Sequence, residues 1–113
     1  MQDLKVRTKR FALDVILFTR KLPRHEEYVI IRRQLIRSAT STAADYRAAQ
    51  RAKSKADFIS KLGTVEEEAD ESLVWLKCLT ELATREHLEL KRLLAEADAL
   101  VAILVTTRKH PRQ

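Results

Sequence analysis

Apolar residues recur every three to four positions along nearly the whole chain, in four runs separated by short polar breaks. The first run is Leu4, Phe11, Val15, Phe18 and Leu22. It predicts a helix over about 6–21, stopped by Pro23. The second run, Tyr28, Ile31, Leu35, Ala39, Thr42, Tyr46 and Ala49, predicts a helix over about 26–51. Glu26 and Glu27 in its first turn suit the positive end of the helix dipole. The third run, Phe58, Leu62, Val65, Ala69, Leu73 and Leu76, predicts a helix over about 55–83, with Leu79 near the edge of its stripe. Ser54 is its expected N-cap, with Asp57 as the partner of a capping-box-like pair. The fourth run, Leu90, Leu93, Ala97, Leu100, Val101 and Leu104, predicts a helix over about 85–107, with Thr84 as N-cap and a frayed tail over 108–113.

The link between the second and third helices is only Ala52 and Lys53, which makes those helices antiparallel neighbours. The expected fold is a single all-α domain over residues 1–113, an antiparallel up-down-up-down four-helix bundle. Two helices carry more apolar surface than one core face uses. Ala12, Leu13, Ile16 and Leu17 surround much of the first, and Leu88, Ala95, Ala99 and Ala102 form a second, shallower face on the fourth. Self-association is therefore expected, with Leu13, Ile16 and Leu17 in the interface. Gly63, inside the third helix, marks either a close helix contact or a tolerated glycine.

Composition agrees with long helices. There is one Gly, there are two Pro, and 34% of residues are charged against 45% hydrophobic. The net charge is +6, but it is split: residues 1–61 carry +9 and residues 62–113 carry −3. A basic half favours polyanion partners. Charge alone equally allows a solvated arginine-rich surface or salt bridges between subunits. The single cysteine, Cys78, excludes an intrachain disulfide framework and fits a reducing compartment. No signal peptide pattern is visible, and the longest apolar run, Ala99 to Val105, is too short to span a bilayer, so a cytoplasmic location without membrane contact is expected.

The best candidate site is a basic ridge. Arg33, Arg37, Arg47 and Arg51 fall within about 40° of one line on the second helix, on a floor of small residues, Thr40 and Ala44. Lys53, Lys55 and Lys61 continue it. Arginine suits phosphate because its planar fork binds two oxygens at once. The competing reading pairs these arginines with an acidic stripe of the third helix, Glu67, Asp70 and Glu71, within or between protomers. No aromatic is interleaved with the ridge, which favours phosphate or duplex contact over base stacking.

Other chemistry is weakly indicated. No His follows a Glu by three positions, so the carboxylates of 66–71 do not form a di-iron pattern, and no metal or cofactor is expected. Cys78 has no basic partner in the pattern and reads as a packing residue. Trp75 reads as core or interface. No phosphate loop, Ser-His-Asp set or zinc spacing occurs, so a non-enzymatic protein is expected.

Three segments carry a resemblance: Ser41, Ala44, Asp45, Tyr46, Arg47, Ala48 and Ala49; then Arg51, Ala52, Lys53, Ser54, Lys55, Asp57 and Phe58; then Glu67, Glu68, Asp70, Glu71, Ser72, Trp75 and Leu76. They resemble the four-helix-bundle family that includes proteins encoded in 23S rRNA intervening sequences. Asp3 to Val6 and the Leu22-Pro23 pair are also similar to members of that family. Asp45 departs from the Asn usual there and puts a charge beside the ridge. The resemblance implies a homopentamer with a central channel. It also implies kinship with the accessory variability determinant of diversity-generating retroelements, a basic pentameric barrel that binds nucleic acid and a reverse transcriptase. The expected function is thus a basic oligomeric scaffold or chaperone for RNA or RNA–DNA. The alternative is a protein adaptor or structural oligomer whose ridge forms salt bridges.

Overall fold

The structure is a computed structural model, which describes residues 3–85 and 87–111. Four helices follow in order: α1 Leu4–Thr19, α2 Glu26–Gln50, α3 Lys55–Leu82 and α4 Leu88–Lys109. Each touches its neighbours in chain order, and α4 closes back on α1, giving an antiparallel four-helix bundle of 47 × 23 × 19 Å. No strand occurs among the described residues.

The caps explain the boundaries. Asp3 accepts from the Lys5 amide at 2.9 Å, so α1 opens at Leu4, two residues before the expected start near residue 6. Ser54 accepts from the Asp57 amide at 3.0 Å, and the Asp57 carboxylate accepts in return from the Lys53 amide at 3.1 Å. The expected capping pair is therefore present, displaced by one residue on the return bond. At the start of α4 the expectation fails. The helix begins at Leu88 rather than near Arg85, and Thr84 does not cap it. α3 ends in extended backbone at Ala83, and the following residues are used to cross from α3 to α4. Glu86, inside the predicted span, lies outside the described residues. α4 continues to Lys109, so the first two residues of the expected tail are helical; Arg112 and Gln113 lie outside the described residues.

The predicted stripes form the core. Phe11, Val15, Phe18, Ile31, Leu35, Leu76, Leu79, Leu93 and Leu100 are buried in one cluster towards the α1–α2 loop. Ala49, Leu62, Val65, Ala69 and Leu104 form a smaller cluster towards the α2–α3 turn, covered by Leu4, Tyr46, Phe58 and Val101. Among the buried hydroxyl residues, Thr8, Thr42 and Ser72 occupy chain positions between the two clusters, and Ser38, flanked by Leu35 and Ala39 of the larger one, meets Ser72 across the α2–α3 seam. Each has a backbone carbonyl three or four residues back within hydrogen-bond distance, so none is left unsatisfied. Among the described residues no helix is long and apolar enough to cross a membrane.

The seams differ in chemistry. α1 and α4 share the least contact, and arginines span that gap. Arg7 grips Glu96 through two bonds of 2.7 and 2.8 Å, and Arg92 reaches Asp14 at 2.9 Å. Arg108 ties α4 to Glu66 of α3 at 2.7 Å. A Cβ on Gly63 would meet the Arg108 side chain at 3.9 Å, ordinary contact distance, so this glycine does not serve a close helix approach.

Candidate nucleic-acid interface

The ridge on α2 is formed as the helical spacing requires. Arg33, Arg37, Arg47 and Arg51 are all exposed on the side of α2 away from the core. Their neighbours on that face are small: Thr40 is half-buried, its hydroxyl bonded to the Ile36 carbonyl at 2.7 Å, and Ala44 is exposed.

The four arginines are not equivalent. Arg37 leans across the α2–α3 seam, donating to Glu68 at 3.2 Å and to Glu71 through a short contact. The Trp75 indole N–H donates to the same Glu71 carboxylate at 3.1 Å. Arg37 and then Trp75 hold the Glu71 carboxyl below its usual range, and Glu71 in turn pushes the Arg37 guanidinium up. Arg33, Arg47 and Arg51 make no side-chain ion pair among the described residues. Lys61 is engaged: its ammonium contacts both Asp57 oxygens, at 2.7 and 2.8 Å, and lowers the Asp57 carboxyl together with the Lys53 amide. Lys53 and Lys55 stand exposed at the α2–α3 turn, without a side-chain ion pair among the described residues.

The acidic stripe divides in the same way. Glu71 is used inside the protomer, and Glu68, which was not among the expected pairing residues, joins it. Glu67 and Asp70 are exposed on the outer side of α3 and have no ion partner among the described residues. Trp75 is half-buried, packed against the larger core cluster. Asp45 is half-buried and makes no ion pair with the ridge. Burial and then the charge of Asp3 push the Tyr46 phenol up, which places the start of α1 beside the end of α2.

Arg32, next to the ridge, has a role that spacing did not signal. Its guanidinium donates to the carbonyls of Thr19 at 3.2 Å, Leu22 at 3.4 Å and Pro23 at 3.3 Å. It thus satisfies the end of α1, where no glycine is present to form a left-handed cap. The absence of a glycine after a predicted helix end was the sequence signal available.

The proposed interface residues on α1 face outward. Leu13 is 40% and Leu17 51% exposed, and Val6 extends the same line. Ile16 is half-buried in the groove between α1 and α2, beside Val29 and Ile36. Ala12, expected on this second face, is instead buried in the core. On α4, Leu88 is 81% exposed, and Ala95 and Ala102 are also exposed. Cys78 is half-buried against the core cluster.

The family model described as 23S rRNA-intervening sequence protein matches residues 2–106. The chain belongs to that family. A solved relative is a protein of unknown function from the S23 ribosomal protein family of Bacteroides thetaiotaomicron. It is similar at 26% identity, with a TM-score of 0.85, over 95% of this chain and 99% of that one. No curated protein matches the chain. Within this intervening-sequence protein, the segments that carried the resemblance divide into two kinds. Ser54, Asp57, Glu68, Glu71, Ser72 and Trp75 serve caps and the α2–α3 seam. Arg47, Arg51, Lys53, Lys55, Glu67 and Asp70 are turned to solvent.

Proposed function

We infer that this intervening-sequence protein is a non-enzymatic, basic, oligomeric nucleic-acid-binding scaffold or chaperone, with RNA as the favoured ligand. One observation carries the reading. Arg33, Arg47, Arg51, Lys53 and Lys55 are exposed along α2 and its turn, and the fold does not use their charges among the described residues. Cations without internal partners are free to meet phosphate, and they supply affinity without base selection. Self-association into a ring, with five copies as the family resemblance suggests, would repeat the ridge around the assembly. The outward line Val6, Leu13 and Leu17 is the surface offered for that contact. On the same resemblance, the accessory role in a diversity-generating retroelement, with a reverse transcriptase as a second partner, belongs to this reading.

A second reading has its own observation. Glu67 and Asp70 are exposed and unpaired among the described residues, and they could meet the ridge of a neighbouring copy or of another protein. The chain would then be a structural oligomer or an adaptor, located in the cytoplasm on either reading.

Light scattering on a sizing column, with and without a structured RNA at low and moderate salt, separates the two. Nucleic-acid binding predicts an oligomer that gains mass with RNA, and an affinity that falls by roughly 0.7–0.9 log units per phosphate contact per log unit of salt. An oligomer that ignores RNA at both salts, and that splits on Arg47→Glu, favours the second reading.

A further inference from the structure

The cations of α1 and α2 are gathered at the two ends of one face. Towards the α1–α2 loop, Arg20 and Arg24 border the groove between the helices, and Arg33 stands exposed one turn beyond Val29, which also lines it. Towards the α2–α3 turn, Arg47 and Arg51 stand exposed. Lys9 lies on the outer, α2-facing side of α1 by helical phase. The antiparallel α1–α2 seam, with Arg32 bonded to the Thr19 carbonyl, puts the early part of α1 beside the late part of α2.

Between the two groups the face is neutral. Thr40, Ala43 and Ala44 occupy the middle of α2, and Arg37, the cation that would have filled the gap, is drawn away to Glu68 and Glu71. Most acids of these two helices are placed elsewhere: Asp14 is bonded to Arg92 of α4, Asp45 is half-buried, and Glu27 lies off the line of Arg33. Glu26 shares that line, in the first turn of α2, and is the one acid of these helices on the face by helical phase. Arg33 lies 14 residues from Arg47 and 18 from Arg51, which at 1.5 Å per residue is about 21 and about 27 Å. The helix that sets this spacing is continuous, so the two groups are held apart by a rigid bar.

Such an array fits phosphates that are themselves held in two rigid rows. A single strand can coil to meet any pattern of cations, and its proteins add aromatic platforms for the bases. Here the aromatics are in the core or half-buried: Phe11 and Phe18 are buried, and Tyr28, Tyr46, Phe58 and Trp75 are half-buried. In a double helix the two strands bordering a groove present separate phosphate rows, and duplex RNA is recognised mostly by shape and by phosphate and 2′-hydroxyl contacts. Guanidinium arms of several ångströms at each end adjust the 21–27 Å bar to those rows, while the small residues between them pass over the groove. We propose that the α1–α2 face is a two-point clamp for double-helical RNA, with Arg20, Arg24 and Arg33 on one phosphate row and Lys9, Arg47 and Arg51 on the other.

The proposal rests on the nucleic-acid reading above, and its test separates the two. Fluorescence anisotropy would compare a 24-base-pair RNA duplex with an unstructured 24-nucleotide oligouridine, in the same buffer, on the full chain. The clamp predicts at least about tenfold tighter binding to the duplex. It also predicts that Arg20→Ala/Arg24→Ala/Arg33→Ala and Lys9→Ala/Arg47→Ala/Arg51→Ala each remove most of that preference, with circular dichroism unchanged. Equal binding to the two RNAs would overturn the clamp and leave the nucleic-acid reading standing. Duplex binding that survives the loss of either group would overturn the two-point geometry. Binding to neither RNA would overturn both.

Discussion

The hydroxyls of Ser38 and Ser72 lie 2.7 Å apart in the buried seam between α2 and α3. Both residues are fully buried; one hydroxyl donates to the other, and the accepting hydroxyl donates its own proton to a carbonyl of its helix, Leu35 at 3.2 Å for Ser38 or Glu68 at 3.1 Å for Ser72. The pair joins two facing helices at a level where the apolar stripe is interrupted. Ser38→Ala should cost about 1 kcal/mol in urea unfolding, the typical worth of one buried hydrogen bond. The double variant Ser38→Ala/Ser72→Ala should cost less than the sum of the two single changes, because no hydroxyl then lacks its partner. Ser72→Leu should cost about 1–3 kcal/mol or more, through overpacking of the same seam.

Arg37 is a seam residue and Arg47 is a surface one, although the sequence sets them on the same ridge. Arg37→Ala should lower Tm and let the Glu71 carboxyl return towards its ordinary range, measurable by NMR titration. Its effect on RNA affinity should be clearly smaller than that of Arg47→Ala. Arg47→Ala should show the reverse pattern, with a weaker salt dependence of RNA binding and an unchanged Tm.

Acid should loosen the protein in a defined window. Glu71 is held low by Arg37 and Trp75, Glu89 by Arg92, and Asp57 by Lys61. A carboxyl depressed in the folded state contributes stability above its unfolded value, and that contribution is lost as pH falls through the folded one. The ordinary values are 4.5 for Glu and 3.8 for Asp, so Tm should be flat from pH 7 to about 5 and fall below about 4.5. Glu71→Gln should start from a lower Tm and lose less of it on acidification, as followed by calorimetry.

Gly63 offers a stabilising change. It sits within α3, half-buried, with ordinary room for a Cβ beside Arg108. Gly63→Ala should gain about 0.5–1 kcal/mol, by the helix preference of Ala over Gly, and denaturant unfolding would read it.

The outward line on α1 should respond to charge. Leu13→Glu with Leu17→Glu leaves the bundle core untouched, since both side chains point to solvent in the protomer. The variant should keep its helical circular dichroism and elute with lower mass than the parent on a light-scattering column. A mass and shape identical to the parent would remove this face from the assembly.

Four helices, their order and their antiparallel arrangement were legible in the sequence, because a 3.6-residue period, a cap at Ser54 and a two-residue link act over a turn or two of chain. The core residues followed from the same period, apart from Ala12, expected on the second face of α1, and Thr8, Thr19, Ser38 and Ser72, polar types that bury by bonding their own helix. The start of α4 was misplaced because the crossing from α3 is set by where two helix ends lie in space and not by the nearest capping residue. The division of the charged residues belongs to the tertiary structure. Arg37 and Lys61 are engaged while Arg33, Arg47 and Arg51 stand free of ion pairs among the described residues; Glu68 is paired while Glu67 is exposed. Periodicity fixes the face on which a charge sits, within a few tens of degrees. Whether it meets an opposite charge depends on how far the neighbouring helix is rotated and slid along its axis, and packing across all four helices sets that.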